Sequence, residues 1–272
     1  MEHTMGHIRF EAIGPVAVVG LDSPPFHPLS RAMVLRLGEL LVHCAQDDAL
    51  RVLVIHGTGD KAFSAGSDLA ELHTLIAHGP EALAAKFAQD ESVFGALARF
   101  PKPTISAVEG AVMGGGLELA VCCDWIVASR AARFGLPEVK LGVFPGSGGT
   151  VRVTRRIGDG RARQMMLLGD PIDADTAERW GLVNQLSEPG QALDDARRLA
   201  VRLARGPALA MQLCKQALDA ASEHGEQEAL ALARRHAVDL GASADLAEGL
   251  RAFDEKRHPR FGASKIRWPP DA

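Results

Sequence analysis

The spacing of apolar residues changes rhythm along the chain. From His7 to Asp22 (HIRFEAIGPVAVVGLD) two short apolar runs flank Gly14-Pro15, which predicts a β-hairpin. After the loop SPPFHPLS (23–30) the spacing becomes helical. Met33, Leu37, Leu40 and Leu41 share one face, and Ser30 is placed to cap a helix running to about Cys44. RVLVIHG (51–57) is a continuous apolar run and predicts a buried strand. TGDKAFSAGSD (58–68) reads as a glycine-rich loop, with helical segments after it at roughly 69–77 and 80–99. KPTISAVEG (102–110) predicts a strand, Leu117 to Cys123 a helix, and WIVAS (125–129) another strand. Residues 132–150, rich in Gly and Pro, read as irregular. From about Thr150 the pattern is nearly all helical, with breaks near Gly158, Gly169 and Pro189. Strands thus fill the first half and helices the second, an α/β chain with a helical C-terminal part. No internal sequence repeat is visible.

Composition narrows the possibilities. The chain has 272 residues, 47% of them apolar, enough for a sizeable core. A net charge of −4, from 30 basic and 34 acidic residues, argues against nucleic-acid binding. No window approaches the roughly 18 unbroken apolar residues of a membrane span. MEHTMGHIRF has no apolar stretch of the kind a secretory leader carries, and Met5 is a candidate start. Cys44, Cys122, Cys123 and Cys214 lack metal-ligand spacing and read as reduced, buried thiols. Together these features suggest a cytoplasmic protein without a metal site.

Two familiar phosphate-binding patterns fail. Gly57, Gly59 and Ala62 match the spacing of a dinucleotide fingerprint, but Phe63 to Gly66 continue the loop where a helix should open. No G-x-x-x-x-G-K-[ST] is present.

Two glycine loops are better placed for chemistry. Ser64-Ala65-Gly66-Ser67-Asp68 and Gly114-Gly115-Gly116 each lead into a helix. Glycine lets a ligand approach an outward-pointing backbone N–H. Two such groups converging from different loops would make an oxyanion hole, aided by the dipole of the following helix. Two carboxylates follow, Glu118 three residues past Gly115, and Glu138 within LPEVKLG. Alone, Glu118 is an ordinary first-turn charge and Glu138 a solvated loop carboxylate. Beside both glycine loops they become candidates for proton transfer.

The chain resembles the crotonase superfamily, the enoyl-CoA hydratases and isomerases. The likeness rests on KAFSAGSDL (61–69), KPTISAVEGAVMGGGLELAVCCD (102–124), ARFGLPEVKLGVFPGSGGT (132–150) and FDEKRHPRF (253–261), in the family's order. The resemblance implies a spiral of ββα units over residues 1–200 and a helical trimerisation region over 201–272. It implies hydration of a 2-enoyl-CoA to a 3-hydroxyacyl-CoA, in fatty-acid-type metabolism. No resident cofactor is expected, CoA entering as part of the substrate. The implied oxyanion donors are the backbone N–H groups of Ser67 and Gly115, and the implied catalytic pair is Glu118 and Glu138. Lys61, Ala65, Asp68 and Leu69 fall in the loop that lines CoA. Phe253 and Lys256 match residues that reach CoA from a neighbouring helix or subunit, and Arg257 adds local positive charge. A homotrimer or dimer of trimers is implied, with neither nucleic acid nor membrane as partner.

The chain also departs from the family pattern. Ser67 stands where alanine is commoner, which brings a hydroxyl near the hole. His27-Pro28 replaces the common asparagine-alanine, which bears on the CoA loop, and Met113 is a candidate for shaping the acyl channel. Rival readings are isomerisation, a specialised dehydration or lyase reaction on the same scaffold, or an RNA-binding relative without activity.

Overall fold

A computed structural model describes residues 3–5 and 8–262. The first half folds as strands β1 (His3–Met5), β2 (Ile8–Ile13), β3 (Val16–Leu21), β4 (Val52–Gly57), β5 (Ala62–Ser64), β6 (Thr104–Val108), β7 (Ala111–Met113), β8 (Trp125–Ser129) and β9 (Arg133–Gly135). Among them lie helices α1 (Arg31–Gln46), α2 (Leu69–Ala77), α3 (Pro80–Ala98) and α4 (Gly115–Ala120). A 3-10 helix, Pro137–Leu141, follows β9. The second half holds α5 (Gly149–Ile157), α6 (Asp159–Leu168), β10 (Ile172–Asp173), α7 (Ala174–Trp180) and β11 (Gln185–Ser187). Four helices complete it: α8 (Ala192–Ala204), α9 (Ala208–Glu223), α10 (Glu226–Leu240) and α11 (Ala244–Asp254).

These strands form two sheets, β1-β2-β3-β4-β6-β8-β11 and β10-β9-β7-β5. The predicted hairpin is β2–β3, and from β3 onward the large sheet is parallel. Three times in succession the chain lays one strand in the large sheet, the next in the small one, and then turns into a helix. The pairs are β4–β5, β6–β7 and β8–β9. This is the ββα spiral, a structural repeat without a sequence repeat.

The continuous apolar runs are explained by burial on both faces. Val16, Val18, Val52 and Val54 pack toward Ala196 and Ala200 of α8. Ala17, Val19, Leu53 and Ile55 point the other way, into the main core with Met33, Leu37 and Leu41 of α1. Burial of each large apolar side chain contributes about 1.5–3 kcal/mol. Ser30 caps α1 as predicted, its Oγ accepting from Met33 N at 3.2 Å. At the other end buried Lys102 donates to Cys44 O at 2.6 Å and Asp47 O at 2.8 Å. That satisfies carbonyls that a helix end leaves open.

Some expectations are corrected. The glycine-rich loop 58–68 contains β5, and the irregular stretch 132–150 contains β9, the 3-10 helix and the first residues of α5. The helix expected over 117–123 spans Gly115–Ala120, and Cys122 and Cys123 lie beyond it. Its six residues give it only a weak dipole. Cys44, Cys122 and Cys123 are buried, but Cys214 is exposed.

Candidate active site

Loops 65–68 and 114–115 pack directly against each other. A Cβ on Gly66 would come within 2.9 Å of Met113 O and 3.0 Å of Gly115 N, so a side chain there would force the loops apart. Gly114 has φ +53° with ψ −130°, a conformation that side chains disfavour. A Cβ on Gly116 would meet Ser64 O at 2.5 Å. Gly115 differs from all three. Its Cβ would lie 3.5 Å from Ser67 N, 3.6 Å from Ser67 Oγ and 3.7 Å from Gly66 Cα, ordinary contact distances. The fold does not demand glycine at 115. What the missing side chain leaves open is the niche before the Ser67 and Gly115 N–H groups. Among the described residues neither N–H has a protein acceptor.

The loop around His27 supports this niche. His27 is fully buried; its Nδ1 accepts from Ser23 N at 3.0 Å and its Nε2 donates to Thr58 O at 2.8 Å. These partners fix a neutral tautomer, and burial lowers the ring's pKa. Loop 23–30 then grips the first glycine loop. Ala65 N donates to Phe26 O at 2.8 Å, Leu29 N to Gly66 O at 2.7 Å, and Ser64 Oγ to His27 O at 2.8 Å. The loop carrying His27-Pro28 therefore braces the first glycine loop rather than displacing it.

A cavity of about 210 Å³ opens before the niche. Ser67, Gly115, Glu118 and Glu138 all line it, beside Leu72, Phe87 and Phe144. A larger cleft of about 540 Å³, polar and rich in arginine, lies beyond Gly146 and Gly148 and contains none of those four groups.

Glu118 is 3% exposed, and its Oε1 accepts from Ser147 N at 2.8 Å and Gly149 N at 2.7 Å. Burial raises its pKa, while these two N–H groups oppose the rise. Gly149 allows this contact, since a Cβ there would come 3.0 Å from Glu118 Oε1. Glu138 stands on the 3-10 helix with its Oε2 buried and, among the described residues, without a hydrogen-bond partner. Burial, reinforced by the charge of Glu118, pushes its pKa up to about 7. One carboxylate is thus anchored by donors, and the other is poised between protonation states.

The remaining expected residues are less uniform. Ala65 and Leu69 line the cavity. Asp68 caps α2, its Oδ1 accepting from Ala70 N at 2.9 Å and Glu71 N at 3.1 Å, so its carboxylate serves the helix. Lys61 is exposed and outside the cavity wall. Phe253, 83% exposed, and Lys256 lie at the end of α11 and do not line the cavity of their own chain. Arg257 is held by Glu248 at 2.6 and 3.1 Å. Met113 sits with its sulfur over Gly135 and is not part of the cavity wall.

Sequence reasoning missed Lys86, Asp90 and Ser147. Lys86 and Ser147 line the cavity, and Asp90 is buried against both. The four-residue spacing of Lys86 and Asp90 was a signal for an ion pair, but it gave no hint of burial.

The family described as enoyl-CoA hydratase/isomerase matches residues 11–264. A crotonyl-CoA hydratase of Syntrophomonas wolfei is 36% identical over 256 residues, covering 94% of this chain and 97% of that protein. A 2,3-dehydroadipyl-CoA hydratase of Escherichia coli is 39% identical over 234 residues, covering 86% and 89%. The crystal structure of an enoyl-CoA hydratase from Bacillus anthracis superposes with a TM-score of 0.90 at 30% identity, covering 95% of this chain and 100% of that one.

Proposed function

This chain belongs to the enoyl-CoA hydratase/isomerase family, and from that premise we propose that it hydrates a 2-enoyl-CoA to a 3-hydroxyacyl-CoA. The observation that carries the reading is the open niche before Ser67 N and Gly115 N, flanked by two carboxyl groups in unlike environments.

The thioester oxygen occupies the niche and accepts from both N–H groups. That polarises the conjugated system and makes Cβ electrophilic. Ionised Glu118 takes a proton from water, whose oxygen bonds Cβ as the double-bond electrons move onto the thioester as an enolate. Protonated Glu138 then gives its proton to Cα. Glu118 ends protonated and Glu138 ionised, and exchange with solvent resets the pair. The two carboxyl groups titrate as a coupled system. Two carboxyl groups favour hydration over isomerisation, which needs only one proton carrier.

Lys61 and Lys256 supply local positive charge for CoA, and Ala65, Asp68 and Leu69 form its loop. Exposed Leu218, Leu230, Val238, Leu250 and Phe253 give a further copy of the chain apolar surface to cover, in keeping with a trimer built through residues 201–272. A cytoplasmic setting suits such an enzyme.

Incubation with crotonyl-CoA should yield 3-hydroxybutyryl-CoA. Gly115→Ala should keep the wild-type circular dichroism spectrum and lose turnover by roughly 10²–10³-fold, the usual cost of a lost oxyanion donor. Failure to hydrate any member of a 2-enoyl-CoA chain-length panel, or full turnover by Gly115→Ala, would overturn the reading.

A further inference from the structure

Lys86 and Asp90 stand one turn apart on α3, only 3% and 4% exposed, and their side chains form an ion pair. A buried pair of this kind adds little stability over apolar side chains of the same size, so stability alone does not account for it. Lys86 Nζ also donates to Ser67 Oγ at 3.0 Å. Asp90 Oδ2 accepts from Ser147 Oγ at 3.1 Å, and Ser147 N donates to Glu118 Oε1 at 2.8 Å. The pair therefore ties the first oxyanion loop to the seat of Glu118.

The direction of one bond in this chain matters. An ammonium has three donors and no acceptor. Ser67 Oγ must accept from Lys86, and its own proton points elsewhere. Among the described residues no protein group accepts that proton. Ser67 N and Ser67 Oγ lie at almost equal distances, 3.5 and 3.6 Å, from the position a Cβ on Gly115 would occupy. Both atoms therefore border the same niche.

We infer that Ser67 gives the thioester oxygen two donors, its backbone N–H and its hydroxyl, and that Lys86, held by Asp90, is the positioning residue that keeps the hydroxyl a donor. The inference rests on the hydration reading for its substrate. Where the commoner alanine offers one donor, this chain offers two. The neighbouring ammonium polarises the hydroxyl and strengthens it as a donor.

Ser67→Ala removes the hydroxyl, keeps the N–H and introduces the residue common at this position, so the fold should be retained. For crotonyl-CoA, kcat should fall roughly tenfold, below the usual cost of a backbone oxyanion donor, with little change in KM. A bound, slowly hydrated aryl enoyl-CoA such as cinnamoyl-CoA reports carbonyl polarisation as a red shift in its absorption. That shift should shrink in Ser67→Ala and return in Ser67→Thr. Lys86→Met combined with Asp90→Asn avoids a stranded buried charge. It should reproduce the smaller shift and add nothing in a Ser67→Ala background. Wild-type kcat and a full red shift in Ser67→Ala would overturn the inference, and additive losses in the combined variant would overturn the positioning role. A wild-type chain that hydrates no enoyl-CoA, yet shows a red shift dependent on Ser67, would defeat the hydration reading and leave the donor assignment standing.

Discussion

Glu118 and Glu138 line one cavity in opposite kinds of seat. Glu118 stands on α4 and reaches the start of α5, where the N–H groups of Ser147 and Gly149 hold one of its oxygens. Glu138 lies on a 3-10 helix; its own backbone N–H opposes the rise in its pKa, but its buried Oε2 has no partner among the described residues. The same residue type therefore takes two roles, and the backbone around each decides which. Two donors aimed at one oxygen oppose the loss of a carboxylate's charge, whereas burial that outweighs a single backbone donor holds a carboxyl's proton.

Loss of a seat should separate the two most sharply. Glu118→Ala strands the N–H groups of Ser147 and Gly149 and should destabilise the fold by about 2–5 kcal/mol, the cost of two buried unsatisfied donors. Turnover should become unmeasurable. Glu118→Gln returns an acceptor and should recover most of the stability without the activity. Glu138→Gln should lower turnover by about 10²–10⁴-fold, the usual worth of a positioned acid, yet leave stability unchanged or slightly raised. Urea denaturation beside steady-state kinetics checks all three variants. An equal loss of stability at both sites would break the comparison.

A smaller effect is expected with pH. Because the pKa of Glu138 is raised to about 7, its proton is available for hydration below that pH and lost above it. The hydration rate should fall as pH rises through 7, and dehydration of the 3-hydroxyacyl-CoA should rise over the same interval. The linkage to stability has the same sign. A carboxyl raised from its ordinary 4.5 to about 7 contributes stability that is full below the unfolded value and lost as pH rises through the folded one. Glu138→Gln should flatten both dependences. Smallest of all is a change remote from both seats. Lys256→Ala should raise KM a few-fold at low ionic strength and less at high salt, since exposed charges are screened, with kcat unchanged.

The long elements were legible because burial on one face, or on both, leaves a periodic trace. The hairpin β2–β3, the helix α1 with its Ser30 cap, and α2 and α3 follow from that trace. Three-residue strands such as β5, β7 and β9 leave none, since they are too short to show alternation. The capping role of Asp68 is legible in the spacing of Asp68 and Glu71, although Asp68 also falls within the CoA-loop pattern. The niche glycines stood out as a group. That Gly114 answers to backbone strain, Gly116 to a neighbour's carbonyl, and Gly115 to neither emerges only in three dimensions. The spacing of Lys86 and Asp90 announces their pairing on α3, but Ser67 lies on a separate loop, and no local pattern announces its contact with Lys86.

Infrared difference spectroscopy of the protonated carboxyl stretch tests the unlike seats most directly. The wild-type protein should show a carboxyl band that titrates near pH 7. Glu138→Gln should abolish it. Glu118→Gln should keep it and shift its titration to lower pH, because the neighbouring charge is gone. A band that survives in Glu138→Gln and disappears in Glu118→Gln would reverse the assignment of the two carboxyl groups.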